Sequence, residues 1–182
     1  MIFPKFDNAE VIDELRREFD PLYKHVPPHL TLVFPFDSNI QAIQLQKHLI
    51  KSLKGLDEFH LQLQGISGAE GKYLFLNVVQ GQAELKELQK RLYSGILEQY
   101  LPGFLDLDRY SPHLTVGRIA DRTEFEAALN KFSGKNDIFN DEIKQISVEV
   151  IDENEDSIIE MTLNIGKEDA NDAIRNANIN RL

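Results

Sequence analysis

The chain contains no cysteine. Disulfides and thiolate metal sites are therefore excluded, and the composition suits a reducing compartment, so a cytoplasmic location is expected. No apolar run is long enough to span a bilayer and no basic-then-apolar leader opens the sequence, so neither membrane contact nor export is expected. Positive charge is in deficit as well, with a formal net charge of −10. A protein that wraps long duplex nucleic acid needs a basic face, so no such partner is expected. The deficit is local: residues 137–172 hold twelve acids against Lys144 and Lys167, whereas residues 1–136 hold eighteen acids and sixteen bases. The acidic stretch reads as a solvated surface. The nearly neutral remainder can accommodate a small phosphorylated ligand or the end of an RNA.

Histidine and threonine are scarce, five and four in 182 residues. Against that scarcity one tetrapeptide occurs twice, as Pro28-His29-Leu30-Thr31 and Pro112-His113-Leu114-Thr115. Each copy runs into an apolar segment, which predicts strands over His29–Phe34 and His113–Arg118. On a strand, residues i and i+2 share a face. Each copy then presents an imidazole beside a hydroxyl, with Leu30 and Leu114 facing the other way.

Periodicity places the remaining elements. Ile2-Phe3-Pro4 reads as a strand end, and Asn8 as the cap of a helix over about 9–19. Asp37-Ser38-Asn39 reads as the cap of a helix ending near Leu53. Phe59, Leu61 and Leu63 alternate as a strand, Gly65 to Gly71 forms a turn, and Tyr73 to Val79 returns. A helix from about 82 to 100 ends at Pro102-Gly103. After the second motif come a helix over about 123–132, a strand through Ile146, Val148 and Val150, and its partner over 158–165.

The order of elements recurs with an offset of 84 residues at the motifs, a period too long for a solenoid. The fold class expected is α+β: two pseudo-symmetric lobes of antiparallel sheet with flanking helices, enclosing a central cleft. A single bilobal domain over 1–165 is expected, with halves of about 1–80 and 81–165, then a C-terminal tail over 166–182. A monomer is expected. A pseudo-twofold axis would set the two histidines opposite each other.

Imidazole titrates near neutrality and can give or take a proton. Two imidazoles across a bound group suit in-line displacement at phosphorus, one as base toward the nucleophile and one as acid toward the leaving oxygen. Threonine hydroxyls would donate to nonbridging oxygens.

The paired motifs, each after a proline and on a predicted strand, resemble the 2H phosphoesterase superfamily, whose members include enzymes called RNA 2′,3′-cyclic phosphodiesterases and 2′-5′ RNA ligases. The Pro-Pro-His-Leu-Thr-Leu and Tyr-Ser-Pro-His-Leu-Thr-Val-Gly segments are most similar to its small bacterial YjcG-type subgroup. The resemblance implies His29 and His113 as acid and base and Thr31 and Thr115 on the phosphate. It also implies a reaction without metal or other cofactor, on a small nucleotide or RNA end. Arg118 stands where many members carry a phosphate-contacting arginine. Simple strand parity puts it on the face opposite His113, so it reaches the site only if the strand bulges or ends first. Phe34, Tyr73 and Tyr110 are candidates to stack on a base, with core packing as the competing reading of each.

Other chemistries find less support. No carboxylate or histidine recurs at ligand spacing beside either motif, so no metal site is expected. His25, His48 and His60 read as ordinary surface or boundary residues. Ser111 lacks a Gly-x-Ser-x-Gly elbow, and the glycines at 65, 68 and 71 join two strands rather than opening a helix. Three functions share the expected cleft: hydrolysis of a cyclic phosphate, ligation, and binding of a phosphorylated end without turnover.

Overall fold

The computed structural model describes residues 1–132 and 134–166. The elements are α1 (Ala9–Phe19), α2 (Ala42–Leu53), β1 (Phe59–Ala69), β2 (Tyr73–Gln80), α3 (Gln82–Leu92), a 3₁₀ turn (Gly95–Tyr100), β3 (His113–Arg118), α4 (Arg122–Phe132), β4 (Ile138–Ile143), β5 (Gln145–Ile151) and β6 (Ser157–Asn164). The strands form a four-stranded antiparallel sheet, β3-β2-β1-β4, and the β5–β6 hairpin. The α+β class with antiparallel sheets agrees with the periodicities. The tail expected over 166–182 lies, beyond Gly166, outside the described residues.

Single bridges join the two sheets. Met1 and Ser147 exchange backbone hydrogen bonds of 2.8 and 2.9 Å. Ile2 bridges Leu30, and Leu30 bridges Leu114 of β3. The four-stranded sheet draws on both halves of the chain, whereas the β5–β6 hairpin comes from the second half alone. The β1–β2 hairpin pairs with β3 and β4, while the first motif lies toward β5. Leu30, Leu61, Leu63, Leu114 and Val116 are fully buried within one apolar core.

Several boundaries differ from expectation. The first motif is not a regular strand: its ladder contact is Leu30 alone, and the backbone bends at Leu32 and Val33. Asn8 precedes α1, but its amide donates to the Ile138 carbonyl at 3.2 Å instead of capping. The helix after the first motif starts at Ala42, where Gln44 Oε1 accepts from the Gln41 N–H at 3.4 Å. Residues 65–69 continue β1, with Gly65 at φ +74°, and the turn is confined to 70–72. The long helix expected to Tyr100 stops at Leu92, and Gly95 at φ +54° opens the 3₁₀ turn.

Buried polar contacts fix the segment that delivers the first motif. Arg16 on α1 is fully buried, pairs with Asp20 at 2.8 Å and donates to the Val26 carbonyl at 2.7 Å. Gln89 on α3, also buried, donates to the Leu32 carbonyl at 3.1 Å. These two side chains grip the backbone on either side of His29.

Candidate active site

The Leu30–Leu114 bridge decides the geometry. In an antiparallel pair with Leu30 opposite Leu114, His29 lies beside Thr115 and Thr31 beside His113. Both leucines have 0% exposure, whereas His29, Thr31, His113 and Thr115 are half-buried, so all four occupy the face turned away from the core. The two imidazole–hydroxyl couples share one surface.

The two rings are held alike. His29 Nδ1 lies 2.9 Å from the Pro27 carbonyl, and His113 Nδ1 lies 2.8 Å from the Ser111 carbonyl, each two residues back. A carbonyl only accepts, so each Nδ1 carries the proton and each Nε2 is left with its lone pair. Burial lowers the pKa of both rings, against the raising effect of those carbonyl bonds. Glu149 also raises His29, while the charge of His29 lowers His113. Phe75 lies nearly parallel to the His113 ring, with centroids 3.6 Å apart and planes at 20°.

The profile of the 2′-5′ RNA ligase superfamily matches residues 4–155. This chain belongs to that superfamily, the 2H phosphoesterases. Among its relatives are proteins that carry phosphoesterase names. One from Bacillus cereus is 26% identical over 92% of this chain and 95% of its own length. One from Oceanobacillus iheyensis is 26% identical over 71% and 75% respectively, and one from Bacillus licheniformis 30% over 65% and 68%.

Arg118 reaches the 2H face because β3 bulges. Tyr73 pairs with Arg118 and Leu74 with Gly117, yet Phe75 pairs with Thr115, so β3 carries one extra residue at Val116. Val116 and Gly117 both turn inward, the alternation reverses, and Arg118 emerges beside Thr115 instead of opposite it. Simple parity gave the wrong face. A Cβ on Gly117 would sit 2.9 Å from Phe19 Cβ, so glycine is what lets β3 lie this close to α1.

The three aromatic candidates part company. Tyr73 stands on the histidine face, across from Arg118. Tyr110 does not offer a stacking surface: it is 8% exposed, tilts against His113 with centroids 6.5 Å apart, and its hydroxyl donates to the Thr31 carbonyl at 2.9 Å. It ties the second motif to the backbone of the first. Phe34 packs edge-on against Phe104 at 5.3 Å and lines a separate groove of about 530 Å³. That groove is lined by neither histidine. Its apolar walls and the carboxylates Asp37, Glu149 and Glu160 make a poor phosphate site.

Sequence reasoning missed Phe75, Gln89 and Arg16. Phe75 was legible as the middle of the Tyr73, Phe75, Asn77 alternation; the other two carried no local signal. Of the remaining histidines, His25 pairs with Asp156 and His60 with Glu142, each at 2.8 Å, and His48 Nε2 lies 3.0 Å from the Leu92 carbonyl. Among the described residues no three histidine, aspartate or glutamate side chains gather as a metal site would require.

Proposed function

We propose that this protein is a hydrolase that opens a nucleoside 2′,3′-cyclic phosphate or the cyclic phosphate at an RNA end, with His29 and His113 as its acid–base pair. The observation that carries this reading is the Leu30–Leu114 bridge, which sets two imidazole–hydroxyl couples on one face. Each Nε2 is free to accept or donate, because each Nδ1 is committed to a carbonyl. Water attacks phosphorus and gives its proton to the neutral imidazole. The bond to the departing ribose oxygen breaks, and the protonated imidazole supplies that oxygen with a proton. The product is a phosphomonoester, and the two histidines have exchanged protonation states, which solvent restores. The Thr31 and Thr115 hydroxyls donate to nonbridging oxygens. Arg118 supplies the cation that two neutral donors, at about 1 kcal/mol each, do not replace. With a 5′-hydroxyl in place of water as nucleophile, the same pair would form the new oxygen–phosphorus bond, break the bond to the ribose 3′-oxygen and protonate that oxygen, which is the 2′-5′ ligation that the superfamily's description names.

The test is incubation of EDTA-treated protein with each of the four nucleoside 2′,3′-cyclic monophosphates. Turnover is expected, with roughly a 10²–10⁴-fold loss in each of His29→Ala and His113→Ala. A bell-shaped pH profile should accompany it. Full activity in either variant would refute the acid–base pair. Saturable binding without turnover would instead identify a protein that recognises the phosphorylated end.

A further inference from the structure

We propose that the groove beside β5 is a docking lane for an extended peptide of alternating basic and apolar residues, which adds to the open edge of β5 as a further strand. The groove has a volume of about 530 Å³ and is lined by neither histidine, so the inference stands apart from the hydrolase reading. Its geometry follows from the register of β5. Backbone groups along a strand point alternately to one side and the other. Ser147 exchanges hydrogen bonds with Met1 on the side away from β6. The bulge of this hairpin lies on β6, where the Val148–Met161 pair is followed by Glu149–Ile159, so alternation along β5 persists to Ile151. The N–H and C=O groups of Glu149 and Ile151 therefore point the way those of Ser147 do, into the groove that both residues line. Neither residue has a backbone partner on that side among the described residues.

The far wall does not compete for those groups. Its Leu32 carbonyl accepts from Gln89 at 3.1 Å, and its Phe34 N–H donates to the Tyr93 hydroxyl at 2.8 Å. That wall offers side chains instead. Phe34, Phe36 and Leu45 are half-buried above the buried Leu49, Leu97 and Ile146. An added strand pairs along one edge and rests alternate side chains on an apolar bed, the two parts of recognition by strand addition.

Charge selects the occupant. The charged side chains that line the groove are Asp37, Glu149 and Glu160, all acidic. The Met1 amino group also lines it, but donates to the Ser147 carbonyl at 2.8 Å, and burial pushes its pKa down to about 6, so it opposes the carboxylates little at pH 7.5. A second copy of this chain fits poorly, because residues 137–172, which include β5 and β6, hold twelve acids against two bases. A carboxylate on an open edge repels another acidic edge and admits a basic strand.

The probe is a fluorescein-labelled peptide with blocked ends, the Lys-Val unit repeated four times, titrated into the full chain at pH 7.5 and followed by fluorescence anisotropy. Saturable binding is expected, and the matching Glu-Val peptide should bind roughly tenfold more weakly or worse. Two further probes carry N-methyl groups on every lysine or on every valine. Because β5 offers one edge, one of these probes loses its hydrogen bonds and the other keeps them. The first should weaken by roughly 5- to 150-fold, the loss of about two bonds, and the second should not. Asp37→Lys and Glu160→Lys should each weaken the Lys-Val probe. Ile151→Pro, which removes an edge N–H that β6 does not use, should weaken it too, with far-UV circular dichroism to establish that the variants fold. No saturable binding, equal binding of the two N-methyl probes, or indifference to both charge reversals overturns the lane. Two other occupants would overturn it as well. Affinity that rises in Arg175→Glu/Arg181→Glu would assign the groove to the chain's own C-terminal residues, and dimers in sedimentation velocity that Ile151→Pro dissociates would assign it to a second copy.

Discussion

Gly117→Ala probes the bulge on which Arg118 depends. The added methyl carbon would stand 2.9 Å from Phe19 Cβ, 3.2 Å from Leu74 Cδ1 and 3.4 Å from Leu74 Cβ. Carbon atoms rest at about 3.5–4.0 Å, so the first contact is short by more than half an ångström. Phe19 Cβ is fixed to the α1 backbone, and no rotamer change moves it. Either α1 retreats from β3 or the bulge flattens. Overpacking of this kind costs about 1–3 kcal/mol, and the stiffer unfolded chain returns about 0.4–1, leaving a net loss of about 0–2.6 kcal/mol, centred near 1.3. Urea denaturation measures it. A flattened bulge also restores simple alternation and turns Arg118 away from Thr115, so kcat/KM on a cyclic phosphate should fall together with stability. Gly103→Ala is the control, because nothing lies within 4 Å of its added carbon. If Gly117→Ala stays within about 0.5 kcal/mol of the parent protein and turns over substrate normally, the steric account of the bulge is wrong.

Two further outcomes concern charge in buried and half-buried places. Arg16→Met leaves Asp20 without its partner and releases the Val26 carbonyl, so a loss of about 3–5 kcal/mol is expected in urea titration; a loss below about 1 kcal/mol would remove Arg16 from its structural role. Burial lowers the pKa of His29 and His113 from 6.5. The unfolded chain therefore binds more protons than the folded one between those lowered values and 6.5, and stability falls as pH drops through that window. Above it both rings are neutral in either state and contribute nothing. The parent protein should lose more stability between pH 7.5 and 5.5 than the His29→Gln/His113→Gln double variant does, and equal losses would contradict the assignment.

Each level of the molecule was legible to a different degree. The duplicated motif was plain because four rare residues recur at one spacing, and strand parity alone predicted that each His–Thr couple shares a face. Helices α1, α3 and α4 and strands β2, β3, β5 and β6 followed from apolar periodicity, a property of neighbouring residues. Strand β4 escaped notice. Its run Ile138-Phe139-Asn140-Asp141-Glu142-Ile143 buries only Phe139 and Ile143, and edge position rather than alternation makes it a strand.

By itself the sequence determined most of the elements, the two His–Thr couples and the exclusion of thiol chemistry, since these depend on composition and on contacts a few residues apart. Tertiary structure alone decided which strands meet. The Leu30–Leu114 bridge spans 84 residues, the β1–β2 hairpin crosses to the strands of the second half, and the Val116 bulge moves Arg118 from one face to the other. Such pairings arise from packing a shared core, where burying Leu30, Leu114 and Val116 together outweighs local strand preference. No window of sequence records that balance.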